Sequence, residues 1–205
     1  MRAMQLDFSP RACSLVPHIV LRAAGVPFDL VKVDLRAKTL PDGTSFTDVS
    51  PKGYVPALVL DSGDLVTENQ VMQRYIADLA PEKNLAPKVG TFERVRLEEM
   101  LNFLATEIHK GIGPFFSPDS DEKYRAAVLK RLDLRLTYLG NQLVGKKFLL
   151  GDQFTVADAY AYWCLMAAQG AAKIDLGKFP ELAAYFARLG EVQAVKDAVA
   201  AEVAS

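Results

Sequence analysis

Two patterns of apolar and polar positions divide the chain near residue 80. Before it, short runs rich in Val, Leu and Phe are bounded by Gly, Pro, Asp or Ser, which predicts strands over residues 4–8, 28–35, 56–60 and 64–67. Between the first two, Leu15, Ile19, Val20 and Ala23 recur at helical spacing, so residues 14–24 are expected to form a helix with Pro17 in its opening turn and Gly25 as its stop. Strand, helix, strand is a parallel unit with a right-handed crossover. The Asp61-Ser62-Gly63-Asp64 turn is too short for anything but an antiparallel hairpin. A helix over 68–79 follows, with Val71, Met72, Tyr75, Ile76 and Leu79 on one side. The order βαβ then ββα predicts a small mixed sheet flanked by helices.

Residues 80–90 carry two prolines and end on a glycine, which is linker chemistry. Beyond them the period is helical throughout. Leu97, Met100, Leu101, Leu104 and Ile108 mark a helix over 91–111, and Val128, Leu132, Leu136, Leu139 and Leu143 mark another over 121–144. A third begins at Thr155, where the hydroxyl and Asp158 three residues on form a capping box, with Phe154 ahead as a staple. Shorter helices over 180–189 and 192–203 complete the expectation: an α/β domain over 1–80, a linker over 81–90 and an all-helical domain over 91–205.

Composition narrows the function. Half of the 205 residues are hydrophobic, enough for a core, and 24 basic against 25 acidic residues leave a net charge of −1. A near-neutral chain lacks the field that draws in nucleic acid or an anionic membrane, so neither is expected as a partner. The longest apolar run, residues 159–168, is about half of what a membrane span needs. No targeting segment is read at the start, and a cytoplasmic protein is expected. Cys13 and Cys164 show neither a CxxC nor a metal-type spacing, and with only two histidines no metal site is expected.

Cys13 is the most informative single residue, because it falls where the first strand has ended and the first helix is about to begin. A helix start presents unpaired N–H groups and about half a positive charge, which favours a thiolate or a bound anion. A small buried hydrophobe is the competing reading. Val55-Pro56 opens a strand with an extended residue whose backbone polar groups are available to a ligand. Glu68-Asn69 opens a helix, either as ordinary caps or as the recognition pair for an amino-acid-like group, the acid for an ammonium and the helix start for a carboxylate. His109-Lys110 precedes Gly111 at a helix end, where a basic pair also complements the dipole. His18 is assigned to packing or surface. The Gly140 to Lys146 stretch imitates a phosphate loop, but Lys147 stands where Ser or Thr must hold magnesium, and it reads as a helix end.

Several separated stretches taken together carry more weight than any one of them. Ser9-Pro10-Arg11-Ala12-Cys13-Ser14-Leu15-Val16-Pro17-His18, Pro51-Lys52-Gly53-Tyr54-Val55-Pro56-Ala57-Leu58, Thr67-Glu68-Asn69, the run from Asn102 to Gly111, and Phe154-Thr155-Val156-Ala157-Asp158-Ala159-Tyr160 closely resemble the bacterial beta-class glutathione transferases. The likeness covers essentially the whole chain. It implies a thioredoxin-like N-terminal domain, an all-helical C-terminal domain, a homodimer, and glutathione as co-substrate. It implies further that the bond before Pro56 is cis, that Val55 pairs its backbone with the cysteinyl part of the tripeptide, and that Cys13 meets the sulfur, with which it can form a mixed disulfide. Glu68 and Asn69 would hold the γ-glutamyl end. Lys38 and Asn102 would reach other polar atoms, and Thr106, Glu107, Ile108, His109 and Lys110 would line the same site, His109 being the second catalytic candidate. Ile112, Phe115, Phe116 and Trp163 are candidates for contact with a hydrophobic electrophile, core packing being the other reading for Trp163. Two residues depart from the family pattern: Arg11 stands where a glycine is usual, and Asn69 where a serine or small residue is usual.

The function this implies is conjugation of the glutathione thiolate to small hydrophobic electrophiles, in detoxification. A glutathione-dependent thiol–disulfide reductase acting through a Cys13 mixed disulfide is the alternative enzyme. A non-catalytic binding protein of the same fold is the alternative class, against which the retention of Cys13, Glu68 and His109 counts.

Overall fold

The computed structural model describes residues 3–204, in which the chain divides into two units. The first begins with β1 (Met4–Phe8), α1 (Leu15–Ala24), β2 (Phe28–Lys32), the short α2 (Phe46–Val49), β3 (Ala57–Val59), β4 (Leu65–Thr67) and α3 (Asn69–Leu79). β1 pairs parallel with β2 and antiparallel with β3, and β3 pairs antiparallel with β4, giving a mixed sheet in the order β2-β1-β3-β4. β1 is therefore an interior strand, and Leu6, Asp7 and Phe8 are all buried. Phe8 turns toward α1, its ring 6.4 Å from that of His18. Asp7 lies opposite Ala57 and so shares the other face, where Ala57 packs with Val33, Val55 and Phe46 of α2.

The α/β part is thus the predicted βαβ–ββα arrangement. Gly25 ends α1 with φ 69°, a conformation that costs a residue without Cβ little. The strand predicted over 28–35 stops at Lys32, because Asp34 turns the chain by accepting the backbone N–H groups of Arg36 and Ala37. The four-residue α2 was invisible to periodicity, which needs at least two turns.

The second unit holds α4 (Phe92–Phe103), α5 (Lys110–Ile112), α6 (Glu122–Asn141), α7 (Val156–Gly170) and α8 (Pro180–Gly190). The single helix predicted over 91–111 is α4 running into a π-helical segment, Leu104–His109, then α5 and a 3-10 turn, Gly113–Phe116. Of the predicted apolar stripes, Leu97, Leu101, Leu104, Ile108, Leu132, Leu136 and Leu139 are fully buried, whereas Met100 is half-buried. Gly111 is a contact point, since a Cβ there would come within 2.8 Å of Leu132 Cδ2. The capping box of α7 is present, and Phe154 packs edge-on against Phe148. The phosphate-loop lookalike is indeed the end of α6 and the turn after it.

The last helix, α9 (Gln193–Ala204), corrects the expected boundary. It belongs to the first unit and packs on α1 rather than closing the helical domain. Its Glu202 is buried, with Oε1 3.1 Å from His18 Nδ1 and Oε2 accepting the backbone N–H of Arg11 at 2.9 Å. Arg22 Nε donates to His18 Nε2, so the ring proton of neutral His18 sits on Nδ1 and points at Glu202. His18 is therefore a packed residue with a partner, not a surface one. Among the described residues no helix is long and apolar enough to cross a membrane.

Candidate functional site

In the first unit, the turn between β1 and α1 carries Cys13. Ser14, the residue before the helix, does not cap it; its hydroxyl is held at Ser9, accepting that residue's N–H and donating to its carbonyl. Arg11 adopts φ 62° within this turn, a conformation that costs a residue without Cβ little, and the bond from its N–H to Glu202 holds it there. Cys13 is partly exposed, and its Sγ lies 3.4 Å from the carbonyl oxygen of Val55. The Val55-Pro56 bond is cis, as the resemblance implied, and both residues are buried. Asn69, the first residue of α3, donates its Nδ2 to the Cys13 carbonyl at 3.1 Å. Cys13, Val55 and Asn69 are thereby brought together from three separate stretches of sequence. Asn69 acts here by tying α3 to the thiol turn.

Glu68 sits at the N-terminus of α3 with φ 69°. Non-glycine residues enter that region at a cost and stay only where surroundings enforce it, which is common at ligand sites. Its exposed carboxylate is shared: Lys52 Nζ at 2.6 Å and Tyr54 OH at 2.8 Å both donate to Oε1, and Lys52 also donates to Thr67 Oγ1. Glu68 raises the Lys52 ammonium above its usual value and, by accepting its hydrogen bond, also pushes the Tyr54 phenol up. Lys38 is exposed, has φ 58°, and donates its Nζ to the Gly53 carbonyl at 2.6 Å. The cluster can receive an amino-acid-like group, its carboxylate matching an ammonium and its lysines and helix start matching carboxylates. Lys52 and Tyr54 are the residues sequence reasoning passed over. Their signal was present in the quoted Pro51 to Leu58 stretch, which hairpin pairing brings beside Thr67 and Glu68.

In the second unit, the π-helical segment and its flanks carry the other candidates. His109 is half-buried; its Nδ1 is 2.8 Å from Tyr160 OH, and its ring meets that of Trp163 at 4.3 Å between centroids, edge to face. Glu107 accepts Arg135 Nε at 2.6 Å. Thr106 is exposed and donates to the Asn102 carbonyl, and Lys110 is exposed. The side chains of Ile108, Ile112 and Trp163 are buried, Phe115 is half-buried and Phe116 is 58% exposed. Tyr160 and Arg135 were not singled out from the sequence. Tyr160 had a readable signal, since it lies three residues before Trp163 and so on the same face of α7. Among the described residues no cluster of side chains suits a metal ion.

Two family models match the chain: glutathione S-transferase, N-terminal domain, over residues 10–79, and glutathione S-transferase, C-terminal domain, over residues 103–191. A glutathione S-transferase GstA of Escherichia coli O157:H7 is 42% identical over 97% of this chain and 98% of its own. Among solved structures, a bacterial beta-class glutathione S-transferase of Sphingomonas chungbukensis superposes with a TM-score of 0.92 at 42% identity, covering 97% of this chain and 98% of that one. A sphingomonad glutathione S-transferase complexed with glutathione gives 0.93 at 40% identity over 98% of this chain and all of that one. Matched along nearly its whole length by sequence and by structure, the chain belongs to the glutathione S-transferase family.

Proposed function

We propose that the chain conjugates the thiolate of glutathione to small hydrophobic electrophiles, with Cys13, Val55, Pro56, Glu68 and Asn69 holding the tripeptide and His109 as the second functional group. The observation that carries this reading is the three-way junction at Cys13, where the thiol, the Val55 carbonyl beside a cis proline, and the Asn69 amide meet at the start of a helix. Lys38, Asn102, Thr106, Glu107, Ile108 and Lys110 are assigned supporting contacts, and Ile112, Phe115, Phe116 and Trp163 apolar ones.

The chemistry bounds what the site has to supply. Lowering a thiol pKa from about 8.5 to about 6.5 raises the thiolate fraction at pH 7 from about 3% to about 75%, roughly 25-fold. A Brønsted coefficient near 0.5 returns about tenfold of that as lost nucleophilicity, so ionisation alone yields about two- to threefold. Holding the electrophile beside the sulfur must supply most of the rate. Turnover of 1-chloro-2,4-dinitrobenzene with glutathione tests the reading. A rate well above background is expected, and no rate above background with that or related aryl and alkyl halides overturns it.

The partial exposure of Cys13 favours a second reaction at the same site. Its thiolate attacks the disulfide of oxidised glutathione, forming a mixed disulfide and releasing one glutathione thiolate. Intact mass after treatment with oxidised glutathione should show one adduct in the wild type and none in Cys13→Ala; an unmodified wild type removes this reading.

We further propose a cytoplasmic homodimer. Supporting it, Leu65, Val71 and Leu79 in the first unit and Phe92 and Val95 in the second leave apolar side chains exposed. Light scattering at twice the chain's 22.5 kDa is the expected result.

A further inference from the structure

His109 can serve as a base or as a hydrogen-bond donor, and the choice depends on which ring nitrogen holds its proton. The structure supplies an observation on that point. Nδ1 lies 2.8 Å from the hydroxyl of Tyr160, whose side chain is almost wholly buried at 2% exposure. The Tyr160 ring stands edge-on to the imidazole at 85°, and Trp163 covers the same imidazole from one turn further along α7. Tyr160 is two residues beyond Asp158, whose carboxylate closes the capping box, so the hydroxyl is presented from the capped first turns of that helix.

The 2.8 Å contact fits either direction of the hydrogen bond, and the chemistry of the two groups favours one. An imidazole nitrogen without a proton is a strong acceptor, whereas a phenol oxygen has its lone pair drawn into the ring and is a better donor than acceptor. With the Tyr160 hydroxyl as the donor to Nδ1, the single proton of neutral imidazole is left on Nε2. This is the opposite tautomer to His18, where Arg22 occupies Nε2 and the proton lies on Nδ1.

We propose that Tyr160 is a positioning residue that fixes His109 with its proton on Nε2, so that the ring offers a hydrogen-bond donor at Nε2 and not a base. The role assigned to His109 rests on the transferase reading above, but the tautomer can be measured without it. The chain has only two histidines, so two-bond proton–nitrogen correlation spectra of ¹⁵N-histidine-labelled full-length protein, taken at about pH 8 where free imidazole is neutral, resolve both rings. His109→Gln assigns them by removing one set.

In the wild type the His109 pattern is expected to be that of the Nε2–H tautomer alone. Tyr160→Phe, which removes one oxygen and keeps the ring, should give an average of the two tautomers. Its kcat for conjugation should fall by about two- to tenfold, the rate equivalent of one net hydrogen bond, with KM for glutathione unchanged. A wild-type ring protonated on Nδ1 overturns the proposal, and so does a Tyr160→Phe protein whose His109 pattern is that of the wild type. An absence of conjugation with the expected tautomer intact would count against the transferase reading and leave the positioning claim standing.

Discussion

At the scale of single residues, charge is placed either where solvent and partners share it or where burial makes it expensive. Glu68 belongs to the first kind, an exposed carboxylate between Lys52 and Tyr54. Asp7 belongs to the second. It is fully buried in the interior strand; Gln5 donates to one oxygen, and the other has no hydrogen-bond partner among the described residues. Burial raises its pKa above the usual carboxylate value of 3.8, against the smaller opposing effect of Gln5. A carboxyl raised in the folded state favours folding only while protonated, so this contribution is present below about pH 4 and lost as pH rises through the folded value. Asp7→Asn keeps an acceptor for Gln5 and carries no charge. It should unfold at the same urea concentration as the wild type near pH 4 and be more stable by about 1 kcal/mol or more near neutrality. Equal midpoints at both pH values would show that Asp7 is ionised in the fold without cost.

At the scale of elements, two buried carboxylates decide how helices are held. Asp158 accepts the Leu149 and Thr155 N–H groups, the Thr155 hydroxyl and the Tyr185 hydroxyl, joining α7, α8 and the loop between α6 and α7. Asp158→Ala strands these donors and should cost about 3 kcal/mol or more, read from the urea midpoint; a loss under about 0.5 kcal/mol would mean that solvent replaces the carboxylate. The motif could be read in the sequence because Thr155 and Asp158 are local, whereas Tyr185 lies 27 residues away and has no local sign. Glu202 is the less legible case. Like Asp197 in the same Ala- and Val-rich helix, Glu202 looks like part of a solvent face, and nothing local says that the helix returns to α1. Glu202→Ala is expected to lower stability by about 2–3 kcal/mol, whereas Glu202→Gln, which keeps an acceptor for Arg11, should recover part of the loss. Equal losses in the two variants would mean that the charge facing His18, and not the acceptor for Arg11, carries the effect.

At the scale of the whole molecule, the sequence separated well into what local pattern carries and what it does not. The parallel unit, the hairpin and the helical remainder follow from periods of two and 3.6 residues and from connection lengths, and the helix boundaries fell within a few positions. Besides the short α2 and the early end of β2, three things escaped. The interruption of the predicted 91–111 helix by a π-helical segment leaves the apolar spacing of Leu97 to Ile108 almost unchanged, so period alone does not reveal it. The allegiance of α9 is a long-range packing choice. The partners of the site residues, Lys52 and Tyr54 at Glu68 and Tyr160 at His109, depend on pairings between segments, and only the first of these was within reach of the predicted hairpin.

Glutathione recognition by the first unit underlies both proposed reactions. Isothermal titration calorimetry of glutathione into the reduced full-length protein and into Glu68→Ala tests it most directly. Saturable binding to the wild type at millimolar concentration or below is predicted, weakened about tenfold or more in the variant by loss of a charged hydrogen bond to the ammonium. Absence of binding to the wild type at millimolar glutathione, or equal binding to both proteins, would contradict it.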